Sequence, residues 1–274
     1  MFLLSLIPVG AWVMSARQQT ASVAVAKSNW TLQWSAEFNG TDGSPPDPTK
    51  WVIETGGNGW GNNELQYYTD RPQNVRLEGG NLVIEAIKEP FIGPDGVHRN
   101  YTSARIESKG RFSRRYGRFE ARVKIPAGRG MWSAFSLLGD NVAPVGWPAC
   151  GEIDIMENIG SQPAVIHGSM HGPGYSGDNP LTAAYKMPQE RFSRRFHVFA
   201  VEWEPQAVRF FVDDQLYATK TPADIPPGHR WVFDHPFFIV LNLAVGGKMP
   251  GSPGASTVFP QRMLVDYVRV YSLK

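Results

Sequence analysis

Between Gly151 and Asn158 the chain reads Gly-Glu-Ile-Asp-Ile-Met-Glu-Asn, three carboxylates within six residues of an otherwise apolar run. In a strand, alternate side chains turn to opposite faces, so Glu152 and Asp154 share one face and Ile153 and Ile155 the other. Glu157 stands five residues beyond Glu152, and regular pairing would put it on the opposite face. One extra residue bulged out at Ile155-Met156 restores it, and all three acids then line one groove. Like charges at that range raise one another's pKa and strain the fold. Ile153, Ile155 and Met156 favour burial, which argues against a solvated edge strand. Carboxylates gathered on one face of a groove suit catalysis; a structural ion cluster is the alternative.

The other segments are short and strand-like, separated by turn residues drawn from 28 Gly and 22 Pro. Arg118 to Ile125 alternates, with Phe119, Ala121, Val123 and Ile125 on one face and Arg118, Glu120, Arg122 and Lys124 on the other. That predicts a half-buried antiparallel strand. Asn81 to Lys88 and Arg262 to Tyr271 read similarly. Phe196 to Trp203 and Val208 to Asp213 flank Glu204-Pro205-Gln206-Ala207, a hairpin signal. Phe237 to Val245 is almost wholly apolar and predicts a strand buried on both faces. No long segment has helical periodicity, so the chain is expected to be all-β, a sandwich or barrel. No linker or repeat divides it, which predicts one domain over residues 29–274.

Net charge is +2, which gives no reason to expect nucleic acid or an anionic membrane as a partner. Nine Trp in 274 residues suit stacking on flat apolar ligands such as sugar faces, or a core of large side chains. Cys150 is the one cysteine, so no intrachain disulfide forms; it reads as a small buried hydrophobe beside the groove. Residues 1–28 open on an apolar stretch, Met1 to Ala16, too short for a confident membrane span. Small residues from Ser22 to Ala26 suit signal cleavage. Export is therefore expected, with no stable membrane insertion, although the usual positive charge before the apolar stretch is absent.

Three stretches carry a family resemblance. Trp60-Gly61-Asn62-Asn63-Glu64-Leu65-Gln66-Tyr67-Tyr68-Thr69, Trp147 through Glu157, and His167-Gly168-Ser169-Met170-His171-Gly172-Pro173-Gly174-Tyr175 resemble glycoside hydrolase family 16, in its laminarinase (endo-1,3-β-glucanase) branch. Leu241 to Gly247 and Val265 to Tyr271 are similar to that branch too. The resemblance implies a concanavalin A-like β-jelly roll: two curved antiparallel sheets with a concave substrate cleft. It implies a retaining mechanism with Glu152 as nucleophile, Glu157 as general acid/base and Asp154 tuning the nucleophile. Such a mechanism needs the two carboxyls about 5–5.5 Å apart. The expected substrate is a β-1,3-glucan or mixed β-1,3/1,4-glucan, cut by a monomer with no cofactor for catalysis.

By the same resemblance Trp147 and Trp132 are cleft platforms, Arg105 a cleft arginine, and His171 a cleft residue near Glu157. Asn62, Glu64 and Gln66 share strand parity and are expected to bond sugar hydroxyls on the non-reducing side of the cut; loop scaffolding is their alternative. His167 and His171 have the spacing of zinc ligands on a helix, but Gly168 and the flanking glycines speak for a strand. A structural Ca2+ is implied at Glu37, the Gly80 carbonyl and Asp266. The chain also departs from the family. Ser133 and Ser136 stand where relatives have Pro and Trp, and Lys248-Met249 where they often have Asn-Trp. The competing readings are a non-catalytic β-glucan-binding protein on the same fold, or a hydrolase of agar or carrageenan type.

Overall fold

The computed structural model describes residues 29–274; the export signal expected over residues 1–28 lies outside them. Seventeen strands, numbered along the chain, form two sheets. The first runs β15 (Gln215–Lys220), β14 (Ala207–Val212), β13 (His197–Glu204), β8 (Gly117–Lys124), β17 (Gln261–Leu273), β5 (Asn81–Ile92), β6 (His98–Ser103) and β3 (Gln66–Tyr68); β1 (Trp30–Ala36) also joins β17, and β4 (Val75–Glu78) joins β5. The second runs β12 (Leu181–Lys186), β11 (Val165–His171), β10 (Glu152–Ile159), β9 (Met131–Gly139), β16 (Phe237–Val245), β7 (Arg105–Glu107) and β2 (Val52–Glu54).

The alternation read from the sequence separates the two faces of the second sheet. Phe135 and Leu137, Ile153, Ile166 and Met170, and Ile239 and Leu241 enter one core shared with Phe119, Val201 and Val268 of the first sheet. The intervening residues Trp132, Ala134 and Ser136, Ser169, and Val240 and Asn242 line a cleft on the other face. One face thus supplies the apolar burial that stabilises the fold, and the other is released for chemistry. Every residue of Phe237–Val245 is buried, as its apolar run implies.

The chain is all-β as expected; the α-helix among the described residues is a single turn, α1 (Val142–Val145). Two expectations need correction. The pairing is not wholly antiparallel, because β3 runs parallel to β6. The charged face of β8 is less solvated than its alternation suggests, with Arg118 and Glu120 only 5% and 7% exposed. The cause is an ion-pair network, in which Arg118 donates to Glu120 at 2.9 Å, Glu202 at 3.1 Å and Asp214 at 3.0 Å. Pairing satisfies the charges and lets neighbouring strands cover them. The expected hairpin forms, with Glu204 facing Ala207 across a Pro205-Gln206 turn.

Candidate active site

The acid-bearing strand β10 lies between β9 and β11. Against β9, Asp154 faces Ser136, Met156 faces Phe135 and Glu157 faces Ala134, so Ile155 is the extra residue. Against β11 the register slips across the same interval, with Glu152 facing His171 and Glu157 facing His167. The bulge expected at Ile155-Met156 is present. Ile155 and Met156 both join the core, and Glu157 returns to the face of Glu152 and Asp154. All three acids line a cleft of about 660 Å³.

Each acid is held by a neighbouring donor. The Trp147 indole N–H donates to Glu152 Oε2 at 2.7 Å, and the Trp132 N–H to Glu157 Oε1 at 3.0 Å. Asp154 Oδ1 accepts the Ser136 hydroxyl at 2.6 Å, and Oδ2 faces His171 Nε2 at 3.0 Å. Single ligating atoms of Glu152, Asp154 and His171 lie within 4.8 Å of one another. Burial, followed by the charge of Asp154, pushes Glu152 up to about 7. The same causes in the same order hold Glu157 well above the usual carboxylate range, and the Glu152 charge adds to them. Burial pulls the His171 imidazole down, but its hydrogen bond to Asp154 and the charges of the three acids outweigh that and raise it to about 9. At neutral pH His171 is therefore an imidazolium, and Glu157 holds its proton more tightly than an ordinary carboxyl does.

The Trp60–Thr69 segment closes one end of the cleft. It is pinned to the end of β16: Leu65 N–H donates to Val245 O at 2.8 Å, and Lys248 N–H to Asn62 O at 2.8 Å. Gly246 permits this approach, since at φ +68 a Cβ there would meet Leu65 Cδ1 at 2.5 Å. Asn62 and Glu64 line the cleft with Trp60 and Arg105. The Arg105 guanidinium pairs with Glu54 on β2 and lies 5.3 Å from the Trp60 ring centroid.

Gln66 does not line the cleft, contrary to the expectation. It is fully buried, donates to Glu64 Oε2 at 2.6 Å and accepts from Val245 N–H at 2.7 Å. Its role is to hold Glu64. The parity argument fails because only Gln66 of the three is in a strand; Asn62 lies in a turn and Glu64 in irregular chain. Burial raises Glu64, and Tyr68 also donates to it, at 3.2 Å.

The two carboxylates implied as calcium ligands are already paired with arginines. Both oxygens of Glu37 accept from Arg269, at 2.9 and 2.8 Å, and Asp266 accepts from Arg122 at 2.7 Å. Carboxylates already neutralised by guanidinium groups do not form an anionic oxygen cage, so these side chains do not fit calcium as ligands. Gly80 sits in the β4–β5 turn with φ +74.

Trp132, Trp147, His171 and Arg105 line the cleft as expected. The two tryptophans also serve the acids directly through their N–H groups. Ser136, where relatives carry an aromatic, and His167, which shares strand parity with His171, line the cleft too. Asn242 was not expected there, although it is the lone polar residue in an apolar strand. Cys150 is buried, its thiol pushed up to about 11 by burial and then by Glu152.

The sequence matches glycosyl hydrolases family 16 over residues 59–269. It is 44% identical over 256 residues to a beta-glucanase of Rhodothermus marinus, covering 89% of this chain and 85% of that one. It is 39% identical to a glucan endo-1,3-beta-glucosidase of Cryptopygus antarcticus, covering 92% of this chain and 96% of that one. Its structure resembles the laminarinase catalytic domain of Thermotoga maritima, with a TM-score of 0.84 at 46% identity over 90% of this chain and 99% of that one.

Proposed function

This chain belongs to glycosyl hydrolase family 16, and on that premise we propose that it cuts glucans with retention, using Glu152 as nucleophile and Glu157 as general acid and base. It is a jelly-roll glycoside hydrolase, an endo-glucanase acting on internal β-1,3 linkages. The observation that carries the residue roles is the bulge at Ile155, which brings Glu157 to the cleft face of Glu152.

In the first step a Glu152 carboxylate oxygen attacks the anomeric carbon. The bond to the leaving sugar breaks, and its oxygen takes the proton from Glu157. In the second step water attacks the anomeric carbon of the glycosyl ester and gives a proton to Glu157, and the Glu152 carboxylate departs. The environments support this division. Glu157 is held well above the ordinary range and so carries the proton, whereas Glu152 at about 7 ionises first. The Trp147 N–H on Glu152 Oε2 stabilises the charged form that attacks. Activity is expected to follow a bell: it rises as Glu152 ionises, with a midpoint at about 7, and falls as Glu157 loses its proton.

The cleft end built by Trp60, Asn62 and Glu64 supports sugar binding on the non-reducing side. The apolar start of the chain supports action outside the cell. Reducing-sugar release from laminarin, lichenan and agarose tests the substrate. Release from laminarin, with or without lichenan, is expected. Release from agarose alone, or from none, contradicts the reading.

A further inference from the structure

Three acids in one enclosed row cannot all be charged at modest cost, and the reaction needs charge and proton in fixed places. Donor placement distinguishes the three acids. Glu152 and Glu157 each receive one neutral donor, the indole of Trp147 or Trp132. Asp154 receives two, and one is cationic: the Ser136 hydroxyl on Oδ1 at 2.6 Å and His171 Nε2 on Oδ2 at 3.0 Å. Ser136 is the direct ladder partner of Asp154, and both are only 4% exposed.

We propose that Ser136 is a positioning residue that holds the Asp154 carboxylate in the acid row, donating its hydroxyl to Oδ1 while His171 Nε2 holds Oδ2. The proposal rests on the glycosidase reading above. The ionisable groups facing this row are Glu152 and Glu157 on its own strand, His167 and His171 on β11, Arg105 on β7 and Tyr217 on β15, with Cys150 preceding it and Glu64, Asp178 and Lys248 elsewhere on the cleft wall. No ionisable side chain comes from β9, so Ser136 is its polar contribution to Asp154.

Without the hydroxyl, the Asp154 carboxylate can turn away from the row, and its charge then raises Glu152 and Glu157 less. Glu157 then releases its proton at lower pH, and Glu152 ionises at lower pH. The test is the pH dependence of kcat/KM on laminarin for wild type, Ser136→Ala, Ser136→Thr and Ser136→Cys, with thermal midpoints measured alongside. Ser136→Ala is expected to move both limbs to lower pH by about half a unit and to cut kcat about tenfold, with KM within about twofold, on the worth of a hydrogen bond to a charged group. Ser136→Thr restores both limbs. Ser136→Cys, which keeps the volume and weakens the donor, moves them less and covers the case in which the alanine variant does not fold. In an Asp154→Asn background, Ser136→Ala moves the limbs no further.

Unmoved limbs in Ser136→Ala or Ser136→Cys overturn the proposal. So does a rise in KM alone, which would make Ser136 a sugar contact, or a failure of threonine to restore the profile. A wild-type enzyme inert on laminarin would instead defeat the glycosidase reading, so the two failures are distinguishable.

Discussion

Asp154 and Glu157 face the same cleft although Ile155 and Met156 stand between them and both lie in the core. A regular strand would turn one acid inward. The bulge keeps them together against repulsion, and that arrangement costs folding free energy. Glu157 is held well above its ordinary 4.5, so the unfolded chain loses this proton at lower pH than the folded chain does. A raised acid pKa contributes full stability only below the unfolded value, and that contribution is lost as pH rises toward the folded one.

Glu157→Gln should therefore abolish hydrolysis and yet stabilise the protein at about pH 8, read as a higher thermal midpoint. At about pH 4 the gain should shrink, because both states of the wild type are then largely protonated. Thermal melts of the two proteins across pH check this; an equal or lower midpoint for the variant at the higher pH would contradict it.

Trp147 is 48% exposed, yet its N–H holds Glu152 at 2.7 Å. Trp147→Phe keeps an aromatic ring and removes that donor. The acid limb of kcat/KM should move to higher pH by about half a unit or more, because the ionised nucleophile loses a hydrogen bond. A change confined to KM would make Trp147 a sugar platform alone.

Gln66 and Asn62 should separate stability from binding. Gln66→Leu leaves Val245 N–H and the Glu64 carboxylate short of partners in a buried place. That should cost about 1–3 kcal/mol in denaturant melts. Asn62→Ala, at the cleft rim, should leave the melt within about 0.5 kcal/mol and raise KM. The reverse pattern would return Gln66 to the sugar.

The strands were legible wherever one face was apolar. Arg118–Ile125 and Phe237–Val245 announced themselves by alternation and by continuous apolarity, and the bulge followed from counting residues between acids. Long-range pairing left weaker marks. The parallel join of β3 to β6, the Arg118 network that shelters a charged face, and the arginines on Glu37 and Asp266 depend on residues far apart in sequence. No local pattern reports them. Gln66 was misread because parity was applied to a turn. Ser136 was noticed only as a missing aromatic, since its value lies in the strand partner that register alone assigns it.

Azide rescue tests the central assignment most directly. With an activated aryl β-glucoside of a β-1,3-linked disaccharide, Glu152→Ala plus azide should yield the α-glycosyl azide, because azide takes the place of the missing nucleophile. Glu157→Ala plus azide should yield the β-glycosyl azide, because azide then attacks the covalent intermediate on Glu152 from the water side. The same two products exchanged between the variants, or no rescue of either, would contradict the roles given to the two glutamates.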